Sequence, residues 1–159
     1  MQRRAVLVSS VALTGLAGCL FQNEDGSGHE ARDLEGDIDG YESGDLEIVI
    51  DGEAVDLNAD RFQSEHAENV SLDFHFHEGD DRWYMDRDRV TFAEGIDLLP
   101  LFEYDRLEGA DVITYDGTVY DGRDDDTDLS FERNGEDVDP TTTELHDGDD
   151  LLLEILATE

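Results

Sequence analysis

Three times along the chain a two-residue turn signal closes one short apolar run and opens another, and few folds fit that rhythm. Asp51-Gly52 separates Leu46-Glu47-Ile48-Val49-Ile50 from Glu53-Ala54-Val55-Asp56-Leu57. Asp116-Gly117 separates Val112 to Tyr115 from Thr118 to Tyr120, and Asn134-Gly135 separates Leu129 to Arg133 from Glu136 to Val138. A type I′ turn needs positive φ at both central residues, which Asn, Asp and Gly tolerate, so each signal predicts a β-hairpin. A fourth hairpin pairs Leu72 to His77 with Arg82 to Asp86 around Glu78-Gly79-Asp80-Asp81. Thr91-Phe92-Ala93-Glu94 has the form of a capping box, which opens a helix that Pro100 closes. Phe92, Ile96 and Leu99 fall at helical spacing, so that helix should pack on a sheet. Leu151 to Leu156 reads as an apolar closing strand in a sheet interior. The expected fold is α+β and mostly β, a hairpin-rich domain with one short helix over residues 45–159. A domain of about 115 residues buries roughly two-thirds of its unfolded surface, enough for one core.

Two hairpins echo each other. Residues 45–56 align without gaps on 128–139, and six of the twelve positions are identical. Downstream, His77-Glu78-Gly79-Asp80-Asp81 matches His146-Asp147-Gly148-Asp149-Asp150. Either two duplicated β units flank the helix, in a β-grasp-like arrangement, or similar turn chemistry has converged.

Charge limits what this domain meets. The chain holds 44 Asp plus Glu against 10 basic residues, for a net charge of -34, and every strong base is Arg. At ordinary ionic strength the Debye length of roughly 10 Å leaves much of that repulsion unscreened; at molar salt it is screened. High charge also favours disorder, but 38% hydrophobic residues and the strand patterns favour a folded domain. Such a surface repels nucleic acid and anionic lipid headgroups, so no nucleic-acid partner is expected.

The first residues carry an address. Arg3-Arg4 precedes an apolar stretch from Ala5 to Ala17 that ends at Leu16-Ala17-Gly18-Cys19. As a helix that stretch spans about 20 Å, short of the roughly 30 Å hydrocarbon core, so residues 1–18 read as a signal peptide. Small residues before Cys19 would give a peptidase access to the backbone, and the thiol would accept the lipid. Cys19 is the sole cysteine, which excludes an intramolecular disulfide. Residues 19–44, rich in Gly and acid, read as a lipidated flexible tether.

Phe74-His75-Phe76-His77-Glu78 is the most informative local segment. On a strand the phenylalanines face one side and the histidines the other. Two imidazoles roughly 7 Å apart along such a strand can share zinc or copper. Glu78, Tyr84 and Asp86 are further candidate ligands, and His66 and His146 could approach in space. The alternative is a solvated histidine face. Asp124 to Asp128 lacks the glycine a calcium loop needs at its sixth position, where Leu129 stands. Trp83 and Tyr84 read as residues that pack or cap the sheet. Asn69-Val70-Ser71 fits the N-glycosylation pattern. No phosphate loop, nucleophile elbow or cysteine-based redox motif is present.

The twin arginine resembles the Tat export signal, and Leu-Ala-Gly-Cys matches the prokaryotic lipobox at all four positions. With its lysine-free, acidic composition, the chain resembles haloarchaeal exported lipoproteins of unassigned function. The resemblance is specific over the first nineteen residues and compositional beyond them. It implies a lipid anchor on Cys19 at the outer face of the cell membrane. Exported proteins with a similar strand order often carry His-x-His-Asp; here the fourth residue is Glu78, and no histidine lies near Met85. The leading expectation is a non-enzymatic surface lipoprotein that binds an envelope protein or small ligand. The second is a divalent-metal-binding lipoprotein, and an extracellular hydrolase is third.

Overall fold

The computed structural model describes residues 40–68 and 70–158. Arg3, Arg4, Leu16, Ala17, Gly18, Cys19 and Asn69 lie outside them. The predicted hairpins form where the turn chemistry placed them. β1 (Glu42–Ile50) turns through Asp51 and Gly52, at φ 51° and 80°, into β2 (Glu53–Ala54). Next come β3 (His75–Phe76) and β4 (Arg82–Met85), then the helix α1 (Phe92–Asp97). β5 (Phe102–Leu107), β6 (Ala110–Tyr115) and β7 (Thr118–Asp121) form a separate antiparallel sheet. β8 (Thr127–Arg133), β9 (Glu136–Asp137) and β10 (Asp150–Ala157) return to the first sheet.

That first sheet runs β3-β4-β1-β10-β8-β9, with β2 on β1. The first and last long strands, β1 and β10, are parallel neighbours in its middle, and every other pairing between its named strands is antiparallel. A hairpin on each side of a central parallel pair is the β-grasp order, extended here by β3–β4 and by the second sheet. β10 is interior, as its apolar sequence predicts. Ile48, Leu153 and Phe131 sit in register across three strands and are all buried.

The internal echo is only partly a structural repeat. β1–β2 and β8–β9 sit on opposite sides of β10 and run antiparallel to each other, so a two-fold normal to the sheet relates them. The same rotation cannot carry β4, beyond β1, onto β10, between β1 and β8. The matching His-x-Gly-Asp-Asp turns therefore occupy unlike places.

α1 has the predicted capping box: Thr91 Oγ1 accepts from Glu94 N–H, and the Glu94 carboxylate accepts from Thr91 N–H at 2.8 Å. Its buried Phe92 meets Phe131 edge-on at 5.3 Å, which docks the helix on the sheet. Trp83 packs as expected. It is fully buried, stacks on Phe74 at 5.5 Å and donates its indole N–H to the Asp45 carbonyl.

The ordered sheet starts three residues earlier than the tether boundary drawn at residue 44. Glu42, Ser43 and Gly44 pair with Met85, Tyr84 and Trp83. Gly44 reads like linker sequence, but it is there for close approach: a Cβ would stand 2.1 Å from the Asp149 carbonyl oxygen. The Arg89 guanidinium also pairs with the Glu42 carboxylate, which fixes the start of β1.

Candidate functional site

The histidine segment is built by three stretches of chain. β3 is only two residues long, because the Gly79 turn ends it on one side and an Asp73–Ser71 side-chain turn precedes it. β4 flanks it through His75–Tyr84 and Phe76–Trp83 pairs. On its other edge Gln63 bridges Phe76 in parallel, and Ser64 N–H donates to the Phe76 carbonyl. That bridge brings residues 63–66 beside the histidines.

The side chains alternate as a strand requires, but the histidine face is only half solvated, with His77 partly exposed and His75 covered. Phe74 and Phe76 are buried in the core, and His75 is equally buried on the other side, with 1% of its surface exposed. Tyr84 lies 6.2 Å from the His75 ring and 5.1 Å from His77, and Tyr41 covers Tyr84 at 5.6 Å. The solvated-face reading fails for His75 because these aromatic rings and β4 close over it.

The two imidazoles meet edge to face, with Nε2 of His75 3.1 Å from Nε2 of His77. Two nitrogens on one tetrahedral zinc, each about 2.0–2.1 Å from the metal, are separated by roughly 3.3 Å. The pair is thus already spaced for one ion. On its far side His77 Nδ1 is 2.7 Å from Glu65 Oε1 and 3.1 Å from Ser64 Oγ. The other Glu65 oxygen accepts from Glu78 N–H at 3.1 Å and from the Ser64 hydroxyl at 3.1 Å. These contacts, the His77 hydrogen bond foremost, hold the Glu65 carboxyl down at about 2. Burial lowers the His75 pKa, opposed mainly by Asp86, whose Oδ2 is 3.7 Å from His75 Nε2. Nδ1 of His75 is buried without a well-formed hydrogen bond, although the Leu72 backbone also acts on the ring to raise its pKa.

The other expected ligands go elsewhere. Glu78 is 70% exposed and pairs with His66 at 3.3 Å, so their side chains serve each other. His146 sits in the turn before β10, where its backbone N–H is taken by Asp149. Tyr84 donates its hydroxyl to Asp80 at 2.7 Å and is thereby committed. Among the described residues no group of three or more His, Cys, Asp or Glu is already arranged around a metal position. The site is therefore a two-imidazole core with one carboxylate, Asp86, within reach. Glu65 is the residue sequence reasoning missed. It belongs to an irregular segment with no period of its own, and only the Gln63–Phe76 bridge delivers it.

No protein-family model matches the chain, and neither a curated protein nor a solved structure does so.

Proposed function

We propose that this is an exported lipoprotein, held at the outer face of the membrane through Cys19, whose domain binds a divalent transition metal non-enzymatically at His75 and His77. One observation carries the metal reading: two Nε2 atoms face each other at 3.1 Å, one on a buried ring and the other on a ring anchored by a carboxylate. Imidazole donors with a nearby carboxylate suit zinc or copper(II). Two protein ligands leave positions for Asp86, water or a ligand from solution, which favours exchange over permanent storage. The address rests on Arg3-Arg4 and Leu16-Ala17-Gly18-Cys19.

Calorimetric titration of the full-length protein with zinc, and separately copper(II), in molar salt tests the metal reading. One equivalent should bind with an affinity that a His75→Ala/His77→Ala variant lacks. Equal uptake by that variant would mean that surface carboxylates, not the pair, take the ion. Mass spectrometry of the native protein tests the anchor, which requires a shortened chain with a lipid mass on Cys19. A second reading, an envelope partner or small ligand, draws on a cleft of about 400 Å³ lined by Arg61, Tyr115 and Tyr120. An Arg61→Ala variant that lost a co-purifying ligand while keeping metal uptake would favour it.

A further inference from the structure

Glu65 has a definable task at the histidine pair. An ionised carboxylate only accepts hydrogen bonds, so its 2.7 Å contact with His77 Nδ1 requires the proton on that nitrogen. Neutral His77 then carries a bare lone pair on Nε2, the atom that faces His75. The carboxylate is itself fixed from three sides, by His77, by Glu78 N–H and by the Ser64 hydroxyl. Asp86, at 3.7 Å, is beyond hydrogen-bond range of His75 Nε2. With the proton of His77 on Nδ1, the 3.1 Å contact is a hydrogen bond when His75 carries its own proton on Nε2 and donates it to the bare Nε2 of His77.

We propose that Glu65 is a positioning residue that sets the His77 tautomer and aims its Nε2 lone pair, so that a zinc or copper(II) ion can sit between His75 and His77 once the His75 proton has moved from Nε2 to Nδ1 and freed that lone pair as well. This rests on the metal reading above and adds a carboxylate–histidine–metal arrangement to it. Outer partners of this kind typically change metal affinity by about 10–100-fold. A glutamine at 65 can offer its N–H₂ to Nδ1 and so stabilise the opposite tautomer, whose Nε2–H blocks the metal position. A shorter aspartate keeps an acceptor-only group on the same side.

The test uses the full-length protein and two readouts. Nitrogen-15 NMR of labelled histidine, without metal, should show His77 protonated at Nδ1 in the native chain. Glu65→Gln should shift it toward the Nε2–H form, and Glu65→Asp should restore Nδ1–H. Zinc titration should then show about 10–100-fold weaker binding for Glu65→Gln and a smaller loss for Glu65→Asp. Native His77 found in the Nε2–H form, or a Glu65→Gln variant with unchanged tautomer and zinc affinity, overturns the role given to Glu65. If native protein binds zinc no better than His75→Ala/His77→Ala, the metal reading fails instead, and the tautomer readout still decides what Glu65 does to His77.

Discussion

Replacing Gly44 by alanine adds one methyl at the edge of a segment that reads as linker, yet it should be strongly destabilising. The new Cβ would stand 2.1 Å from the Asp149 carbonyl oxygen and 2.6 and 2.8 Å from two atoms of the Trp83 ring. Neither neighbour yields easily. The carbonyl is backbone and accepts from Asp45 N–H at 2.9 Å, while Trp83 is fully buried against Phe74. A relaxed carbon–oxygen contact is about 3.3 Å, so β1 and the turn before β10 must part by roughly 1 Å. Overpacking of this kind costs about 1–3 kcal/mol, and loss of the adjoining backbone hydrogen bond adds about 1 kcal/mol. A loss of about 3 kcal/mol lowers Tm by roughly 12 °C in a domain of this size. Thermal unfolding followed by circular dichroism in molar salt reads it directly. Gly135→Ala is the comparison. That position has open space but φ 77°, so it should lose only about 1–2 kcal/mol through backbone strain. A Gly44→Ala protein within about 0.5 kcal/mol of the native one would refute the packing argument.

Phe131→Ala should cost about 3–5 kcal/mol, because the ring is buried edge-on to Phe92 and Tyr104 and in register with Leu153 on β10; chemical unfolding measures it. Lowering salt from molar to about 0.1 M should lower Tm as carboxylate repulsion is unscreened, and an unchanged Tm across that range would contradict the charge argument. Glu65, Asp121 and Asp139 have folded pKa values near 2, below their ordinary values of 4.5, 3.8 and 3.8. Depressed carboxylates contribute stability above the unfolded pKa and lose it as pH falls through the folded one, so acid titration in high salt should show stability falling between about pH 5 and 2. Stability that rises over that window would contradict the hydrogen bonds assigned to these three groups.

Much of the architecture was legible because turn chemistry is local. Positive φ at Asp51, Asp116 and Asn134 follows from residues that tolerate it beside glycine, and Thr91 with Glu94 announces the helix by itself. β5 is not marked out in sequence even though Phe102, Glu103, Tyr104 and Asp105 alternate apolar and charged, because its turn uses Glu108 at φ 54° before Gly109. Glutamate is a weak turn signal, and only pairing with β6 makes that stretch a strand. Gly44 differs from its sequence reading for a related reason: acid-rich sequence looks like tether until a neighbouring tryptophan claims its space. At the site, strand alternation correctly put His75 and His77 on one side. Their approach to 3.1 Å depends on side-chain rotation that spacing does not encode. Burial of His75 depends on β4 and Tyr84, and Glu65 arrives through a bridge between residues far apart in sequence.

Diffraction at the zinc absorption edge, from crystals of the protein grown in molar salt with zinc, looks directly at the His75–His77 pair. A single anomalous peak about 2.0–2.1 Å from Nε2 of both His75 and His77 is the predicted result. Density confined to surface carboxylates, with the two imidazoles still joined by a hydrogen bond, would contradict it.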